Sequence, residues 1–296
     1  MTSKTEGHGT VMITGASSGI GRELALQFAP RSQALVLVAR RTERLEHLRI
    51  ELLARHPDLK LIALGADLSD EHEITALLRR VEEQAGPVDV LVNNAGLGYS
   101  ALIDRSDWTL TRQVLHTNVL AVTQLTSALV PEMVRRGRGG VINIGSGAGL
   151  TVLPSAAGYV GSKHFIAGFT EALRADLAGT GVVVTQVCPG PVRSEFDDVA
   201  GSASGMIGGL PNILRIDAAQ CAQEAVAAFE RRKARVFPGR AYRSVMRLLP
   251  FLPLFLRRRQ AANAAIRTRA GQCFRRFRMA GPLHSHTEKI SCLHNV

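Results

Sequence analysis

Apolar runs alternate with segments of helical periodicity along most of the chain. Seven apolar, β-branched runs predict β-strands. They are Thr10–Thr14, Ala34–Ala39, Lys60–Ala66, Val88–Asn93, Gly140–Ile144, Val182–Cys188 and, more weakly, Arg235–Pro238. Apolar residues recur at helical spacing in the intervening segments, and strands that are apolar throughout indicate a parallel sheet buried on both faces. The pattern predicts an α/β fold: a doubly wound, Rossmann-type parallel sheet of about seven strands with helices on both faces.

The formal net charge of +11 is concentrated near one end of the chain. Of the 36 Lys and Arg residues, 15 lie between Arg231 and Arg278, a segment without Asp or Glu. The rest of the chain carries 21 basic and 25 acidic residues and is slightly acidic. A basic segment can meet phospholipid headgroups, nucleic acid or an acidic partner, or it can be a solvated face without a partner.

Targeting and cysteine patterns favour a cytoplasmic protein. The stretch Met1–Gly9 is polar and lacks the apolar core of a signal peptide. No run reaches the roughly 18 apolar residues of a membrane-spanning helix. The four cysteines show no metal-ligand or CxxC spacing, so we expect free thiols and no metal site. They are Cys188, Cys221, Cys273 and Cys292.

A glycine-rich turn follows the first predicted strand directly and leads into the helical pattern Arg22–Phe28. Glycines let a backbone turn tightly and approach a pyrophosphate, while a helix N-terminus supplies unpaired N–H groups and partial positive charge. Its position between the first strand and the first helix predicts a phosphate-binding loop rather than a turn without a ligand. The candidate contacts are Gly15, Ser17, Ser18, Gly19, Ile20 and Gly21.

Arg40 and Arg41 end the second predicted strand, where an enzyme that binds NAD usually places an acidic residue on the ribose hydroxyls. Two guanidinium groups suit a 2′-phosphate instead, because they bind it bidentately and keep their charge. Arg41 alone could simply begin the next helix as a solvated residue. The pair favours NADP(H) as the cofactor.

Tyr159 and Lys163 lie four residues apart, hence on one face if Ala156–Leu177 is helical. A tyrosine with a pKa near 10 is a poor acid–base catalyst at neutral pH, and a neighbouring cation favours its phenolate. Taken alone, the spacing equally describes an amphipathic helix with a surface lysine.

Further polar groups end neighbouring predicted strands, at the edge where doubly wound sheets present ligand-facing groups. Ser146 follows the strand that ends at Ile144, and Asn93–Gly96 ends the preceding one. Asn118 lies among apolar residues of a long helical segment. Its amide either stabilises a helix kink or holds a water molecule.

With these motifs the chain resembles the short-chain dehydrogenases/reductases over about residues 9–240. Thr14–Gly21 matches the family's TGxxxGxG loop and Asn93–Gly96 its NNAG motif. Ser146 precedes Tyr159 by thirteen residues, as the family pattern expects. The family's catalytic tetrad falls on Asn118, Ser146, Tyr159 and Lys163.

The resemblance implies further cofactor contacts. They are Asp67 and Leu68 at adenine, Asn94, Ala95 and Gly96 of the NNAG motif, and Pro189, Gly190, Val192 and Ser194 of the segment that holds the nicotinamide carboxamide. The chain departs from the common pattern with Gly145 in place of a first serine and Ser194 in place of threonine. Neither departure removes a required hydrogen-bonding group.

The resemblance implies an NADP(H)-dependent oxidoreductase that interconverts a carbonyl and an alcohol. Tyr159 would be the general acid in reduction and the general base in oxidation, beside Lys163, which would lower its pKa and hold the nicotinamide ribose. Ser146 would donate a hydrogen bond to the substrate oxygen, and Asn118 would position a water linking Lys163 to solvent. A homodimer or homotetramer is expected by resemblance only. The alternative is a cofactor-binding regulatory or scaffold protein that has lost turnover.

Composition changes abruptly near Gly239, which divides the predicted catalytic domain, 9–240, from a basic and apolar extension, 241–280. The polar tail, 281–296, is expected to be disordered. Segment 245–259 consists of a largely apolar stretch followed by three arginines, and the apolar stretch is too short to span a bilayer. It fits membrane-surface attachment and, equally, packing over the substrate cleft or in a subunit interface. Either use favours a lipophilic substrate, whereas nucleic acid fits poorly because no binding fold or row of stacking aromatics accompanies the charge.

Overall fold

A computed structural model describes residues 7–193 and 214–279 of the chain. Nine strands are present in these residues. They are β1 (Thr10–Thr14), β2 (Ala34–Ala39), β3 (Lys60–Gly65), β4 (Val90–Asn93), β5 (Gly139–Ile144), β6 (Val182–Val187), β7 (Val192–Arg193), β8 (Ile216–Asp217) and β9 (Arg235–Val236). Seven of them form one parallel sheet in the order β3-β2-β1-β4-β5-β6-β9, and β7 pairs with β8 in parallel beside it.

Nine α-helices connect and extend the described strands. They are α1 (Gly19–Phe28), α2 (Thr42–Arg55), α3 (Glu71–Ala85), α4 (Trp108–Leu115), α5 (Ala121–Arg135), α6 (Ala157–Asp176), α7 (Ala218–Glu230), α8 (Arg240–Leu248) and α9 (Leu254–Met279). A π-helical segment, His116–Leu120, joins α4 to α5. None of the helices in the described part of the chain is long and apolar enough to cross a membrane.

Two apolar layers hold the helices on opposite faces of the sheet. Side chains of Val11 and Ile13 in β1 join the cluster that contains the buried residues of α1, α2 and α7. Met12, which lies between them, joins the cluster that contains the buried residues of α3 and α5. Successive strand residues point to opposite faces, so a strand that is buried on both faces must be apolar at every position.

The predicted fold is confirmed, and each of the seven predicted sheet strands lies within two residues of its observed bounds. The long helical segment predicted around Asn118 occurs as α4, the π-helical segment and α5. The extension after Gly239 is helical, which composition alone did not predict. Ser194, a predicted nicotinamide contact, and the predicted tail 281–296 lie outside the described residues.

Candidate active site

The predicted site residues lie at the carboxyl ends of four adjacent strands. The sheet order places β1, β4, β5 and β6 side by side and parallel. The segments that follow these strands begin at Gly15, Asn94, Gly145 and Cys188 and therefore line one edge of the sheet. This is the edge at which open α/β sheets bind ligands.

The glycine-rich loop has a conformation and close contacts that require glycine. Gly15 and Gly19 have φ values of +67° and +54°, in the region that L side chains rarely adopt. A Cβ on Gly15 would lie 2.8 Å from Ala95 Cα, and one on Gly21 would lie 2.2 Å from the Gly15 carbonyl oxygen. The loop is therefore folded tightly onto itself and onto the end of β4.

Hydrogen bonds to Thr14 and Asn94 fix the loop in that position. The Asn94 amide donates to the Thr14 carbonyl over 2.8 Å and to the Gly15 carbonyl over 3.2 Å. Thr14 Oγ1 accepts from the backbone N–H groups of Asn94 and Ala95, both over 3.0 Å. Asn94 and Ala95, which we predicted as cofactor contacts, thus hold the loop that precedes the first helix.

Hydroxyl and guanidinium donors gather beside this loop. Arg41 reaches across from the end of β2 and donates to Ser18 Oγ over 2.9 Å and to Ser17 Oγ over 3.4 Å. Within the described chain, Ser18 makes no side-chain cap on α1, whose first N–H groups lack intrahelical acceptors. Arg40 is exposed next to Arg41. Cations, hydroxyls and an uncapped helix N-terminus form a donor set that fits a cofactor phosphate.

Three other predicted cofactor residues use their side chains within the protein. The Ile20 side chain is partly buried against the apolar cluster on one face of the sheet. The Leu68 side chain is buried in the cluster on the other face. Asp67 Oδ1 accepts from the backbone N–H and the hydroxyl of Ser69, over 2.9 and 2.8 Å. A contact of Leu68 with adenine would therefore have to come from its backbone.

Ser146 begins a tight 3₁₀ turn, Gly147–Leu150, directly after β5. Its Oγ accepts from the backbone N–H of Ala148 over 3.1 Å and keeps its proton available for donation. A Cβ on Gly149 would lie 2.3 Å from the Lys163 carbonyl oxygen, so the turn packs directly against α6.

Tyr159 and Lys163 lie one helical turn apart on α6. Lys163 Nζ is 5.9 Å from the centroid of the Tyr159 ring and donates to the Ile144 carbonyl over 3.1 Å. The lysine side chain is almost wholly buried, with 7% of the residue exposed, whereas Tyr159 is half-buried. Burial lowers the pKa of Lys163 to about 8, and nearby Cys188 opposes that shift. The Lys163 ammonium is thus held between the end of β5 and the tyrosine.

Asn118 lies in the π-helical segment and clamps the loop after β4. Its Nδ2 donates to the Leu97 carbonyl over 2.9 Å and to Ser162 Oγ over 3.0 Å, and its Oδ1 accepts from the Leu97 N–H over 2.8 Å. A Cβ on Gly96 would lie 3.2 Å from Asn118 Oδ1 and 3.6 Å from Lys163 Nζ. Both amide hydrogens are used in protein contacts, so a water held by Asn118 would have to use other atoms of this residue.

The last predicted cofactor segment follows β6 and meets the Ser146 turn. The Pro189 carbonyl accepts from the Gly147 N–H over 2.9 Å, and Val192 continues into β7, paired with Ile216. Gly190 is covered by the ring of Tyr242 from α8. The structure therefore brings the predicted substrate-oxygen turn and the predicted nicotinamide segment into contact.

The sequence profile of the short chain dehydrogenase family matches residues 9–204, which contain every one of these predicted site residues. The chain belongs to the short-chain dehydrogenase family. Such enzymes are NAD(P)-dependent oxidoreductases that act on the alcohol or carbonyl groups of small molecules. The oxidoreductase class predicted from the motifs is confirmed.

Known relatives show how far the similarity of this dehydrogenase extends. Human dehydrogenase/reductase SDR family member 7 is 36% identical over 204 residues, which is 67% of this chain and only 60% of the human protein. A Sphingobium yanoikuyae short-chain dehydrogenase in complex with NADPH is 29% identical, with a TM-score of 0.71 over 94% of this chain and 97% of the other. A Burkholderia phymatum short-chain dehydrogenase/reductase in complex with NAD is 26% identical, with a TM-score of 0.71 over 82% of this chain and 93% of the other.

Buried polar residues behind the site bond its strands and helices together, and of these only Asn93 belongs to a motif recognised in the sequence. Asn93 Nδ2 donates to Thr126 Oγ1 over 3.1 Å and to Asn143 Oδ1 over 2.9 Å, and Asn143 Nδ2 donates to Thr170 Oγ1 over 3.0 Å. These bonds run from α5 through β4 and β5 to α6. Asn143, a polar residue inside the apolar run Gly140–Ile144, was the sequence feature that could have indicated these hydrogen bonds.

Two further residues at the site were also missed. Ser162 holds Asn118 and donates in turn to the Tyr159 carbonyl over 2.7 Å. Tyr242 lies in the extension after the matched region and packs against Gly147 and Gly190. Local sequence carries no signal for Tyr242, because its contacts are made with segments more than fifty residues away.

Lys163→Met tests the cost of the buried ammonium. Its pKa of about 8 lies below the ordinary 10.5. Between these values the unfolded chain binds more protons, so this group's contribution to stability rises with pH there, and at pH 7 its burial costs about 3 kcal/mol. We expect the free energy of unfolding of Lys163→Met, measured by urea denaturation at pH 7, to exceed that of the wild type by up to about 3 kcal/mol. This difference in stability should disappear by about pH 10.5.

The matched control is Lys60→Met, because Lys60 is exposed at the start of β3. Its unfolding free energy should follow that of the wild type at every pH. Parallel stability–pH curves for Lys163→Met and wild type would show that the ammonium is not destabilised by burial.

Proposed function

We propose that this dehydrogenase is an NADP(H)-dependent enzyme that interconverts a carbonyl and an alcohol on a lipophilic small molecule. The observation that carries the proposal is the grouping of Ser146, Tyr159 and Lys163 at the sheet edge. Lys163 Nζ is bonded to the end of β5 and lies 5.9 Å from the phenol ring. A phenol beside a buried cation, on a helix that packs against the Ser146 turn, is suited to proton transfer at an oxygen.

In this proposal Tyr159 transfers the proton to the carbonyl oxygen in reduction and removes it from the alcohol in oxidation. Ser146 donates a hydrogen bond to the same oxygen as negative charge develops there. Lys163 stabilises the phenolate, and because its pKa is about 8 it remains mainly charged at pH 7. The bound cofactor supplies the hydride chemistry, and the chain supplies placement and electrostatics.

Asn118 contributes to the proposed site by holding neighbouring parts of the chain in position. Its amide holds Leu97 and Ser162, so it fixes the loop after β4 beside the Lys163 ammonium. The water that would return a proton to Lys163 would lie next to this clamp. The π-helical segment leaves a local break in the regular helical hydrogen bonding where such a water can bind.

The preference for NADP(H) rests on the end of β2. Relatives bind either form of the cofactor, because solved structures similar to this one contain NADPH or NAD. Here Arg40 and Arg41 replace an acidic residue, and Arg41 already reaches Ser17 and Ser18 of the phosphate loop. A 2′-phosphate between Arg41 and these hydroxyls would receive charge-assisted hydrogen bonds. Gly15, Gly19 and the first turn of α1 would hold the pyrophosphate.

The substrate class and the surroundings of the enzyme are inferred from exposed apolar residues. Leu248, Phe251 and Phe255, which we call the apolar patch, are 67%, 82% and 67% exposed at the junction of α8 and α9. Arginines 257–259 follow this patch directly. Apolar side chains beside cations fit a shallow position at an anionic membrane surface, where a lipophilic substrate would concentrate.

We also propose self-association through α4–α6, the helices beside the catalytic residues. Leu110 of α4, Leu120 of the π-helical segment and Phe165 of α6 are each about two-fifths exposed. Phe165 stacks on Phe169 of the same helix, with ring centroids 5.6 Å apart. An exposed apolar face of this kind is suited to a second copy of the chain.

Tyr159→Phe tests the proposed reaction. The enzyme is mixed with NADPH and a panel of lipophilic ketones and aldehydes, and NADPH oxidation is followed at its absorbance band. We expect turnover in the wild type and a loss of about 10²- to 10⁴-fold or more in Tyr159→Phe, because the transferable proton is removed. NADPH binding should be nearly unchanged.

The control for this test is Tyr99→Phe, which removes a phenol oxygen that accepts from the Asp107 N–H over 2.8 Å. It should turn over like the wild type. Wild-type activity in Tyr159→Phe would refute the assigned role. Tight NADPH binding without turnover of any panel member would favour the cofactor-binding regulatory protein instead.

Arg41→Ala tests the cofactor preference. It removes a guanidinium that is bonded to Ser17 and Ser18. We expect kcat/KM with NADPH to fall about 10- to 100-fold, because a charge-assisted bond to the 2′-phosphate is lost, while kcat/KM with NADH stays constant.

Arg55→Ala at the other end of α2 is the charge-matched control, since Arg55 is exposed and pairs with Glu51 over 3.1 Å. It should change neither value. An equal loss with both cofactors in Arg41→Ala, or a wild type that prefers NADH, would contradict the proposal.

Phe251→Ser with Phe255→Ser tests membrane attachment in a sedimentation assay with phosphatidylserine-containing vesicles. We expect the wild type to sediment with them at low salt and less at high salt, and the double variant to bind at least about tenfold more weakly, because two exposed phenyl rings are removed. Ile50→Ser on α2, where Ile50 is 58% exposed, is the matched surface control. A wild type that stays in the supernatant at low salt would refute attachment.

A further inference from the structure

Tyr242 of α8 is buried between the two segments that meet at the proposed site. Only 8% of the residue is exposed, although it lies in the extension after the family match. A Cβ on Gly190 would lie 2.8 Å from its Cδ2 and Cε2 atoms, so the ring lies flat against that glycine. A Cβ on Gly147 would lie 1.7 Å from its hydroxyl oxygen. The phenol therefore occupies the space that side chains at 147 and 190 would need.

One carbonyl connects all three segments. The Pro189 carbonyl oxygen accepts from the Gly147 N–H over 2.9 Å and from the Tyr242 hydroxyl over 3.4 Å. Gly147 follows Ser146, and Pro189 begins the segment predicted to hold the nicotinamide. Tyr242 thus contacts, through one ring and one hydroxyl, both Gly147, which follows the proposed donor Ser146, and the backbone of the segment predicted to hold the cofactor.

The Tyr242 hydroxyl is suited to donate a permanent hydrogen bond within the protein and is not suited to acid–base catalysis. Burial raises the pKa of Tyr242 well above its usual range, and the nearby Cys188 and Tyr159 add to the shift. The phenol stays protonated at physiological pH and keeps a proton to donate to Pro189. It is therefore chemically distinct from Tyr159, which lies half-buried beside Lys163.

We infer that Tyr242 is a positioning residue that sets the separation between the Ser146 turn and the Pro189–Val192 segment. The inference rests on the proposed function, because that function gives the two segments their roles. The turn carries the donor to the substrate oxygen, and the Pro189–Val192 segment holds the nicotinamide. Met246, one turn further along α8, supports the same contact, with its Cε 3.6 Å from a Cβ built on Gly147. The first turns of the extension are thus part of the active site.

The position of Ser146 relative to the nicotinamide decides how well a developing oxyanion is stabilised during hydride transfer. A displacement of about 1 Å in such a constellation costs on the order of 10²-fold in rate. Without Tyr242 the ring that covers Gly147 and Gly190 would be missing, and the Pro189 carbonyl would keep its bond from the Gly147 N–H but lose the one from the Tyr242 hydroxyl. The ring therefore supplies spacing, and the hydroxyl adds a second bond to the shared carbonyl.

The first experiment compares Tyr242→Phe and Tyr242→Ala in the full chain with NADPH and the best panel substrate. We expect Tyr242→Ala to lower kcat about 10- to 100-fold, because the turn and the segment lose their spacer, with little change in the Kd for NADPH. Tyr242→Phe keeps the ring and should recover most of kcat. A fall in NADPH affinity with unchanged kcat, or normal kinetics in Tyr242→Ala, would overturn the inference.

The second experiment is a double-mutant cycle between Gly147 and Tyr242. Gly147→Ala inserts a methyl group 1.7 Å from the hydroxyl oxygen but 3.0 Å from Cζ of the ring. Tyr242→Phe removes the closer atom, so the double variant should recover kcat at least about fivefold relative to Gly147→Ala alone. Additive losses would overturn the inference. Gly168→Ala on α6, where a Cβ meets no atom within 4 Å, is the control and should behave like the wild type.

A readout without turnover separates this inference from the proposed function. The fluorescence of the nicotinamide ring at saturating NADPH reports how firmly that ring is held. It should change in Tyr242→Ala and return towards the wild-type value in Tyr242→Phe. If Tyr159→Phe remains active, the proposed function fails. If Tyr159 is required but neither kcat nor this fluorescence depends on Tyr242, only the inference about Tyr242 fails.

Discussion

The ammonium of Lys163 imposes the strictest physical condition on the site, because it is removed from water where the sheet meets α6. It donates to the Ile144 carbonyl at the end of β5 and lies beside the Tyr159 ring. Its lowered pKa shows that the fold gives up stability to keep it there. The surroundings must therefore hold it rigidly: the Ser146 turn packs on its backbone, and Gly96 leaves room between it and Asn118. A site that carries such a cost is expected where function requires it.

That rigidity comes from polar groups buried in an otherwise apolar sheet. The hydrogen bonds of Asn93 and Asn143 tie β4 and β5 to α5 and α6, and Asn94 ties the phosphate loop to β4. Buried polar groups that are bonded in this way specify one arrangement, since any shift would leave a donor or acceptor without a partner. The parts of the site can therefore be far apart in sequence and still keep a fixed geometry.

The extension after Gly239 has a packed part and an exposed part, which its composition did not distinguish. One face of α8 packs Tyr242 onto Gly147 and Gly190, and Met246 onto Gly147. The apolar patch at the junction with α9 remains exposed among arginines. Farther along, Arg269 of α9 pairs with Asp104 over 2.9 and 3.0 Å, which fastens the helix to the loop before α4. A packed face and an exposed apolar patch thus coexist in one segment.

The parallel fold, the glycine-rich loop and the order of the family motifs could all be predicted from the sequence. These features depend on local rules: strands buried on both faces must be apolar, a loop that folds onto its own backbone requires glycine at positions such as Gly15, and residues four apart share a helix face. Three contacts became visible in the folded chain alone: Asn94 holds the loop, Asn118 clamps Leu97, and Tyr242 covers Gly190. Each of these contacts joins residues more than twenty positions apart. Their existence depends on how strands and helices pack in space, which neither periodicity nor motif spacing encodes.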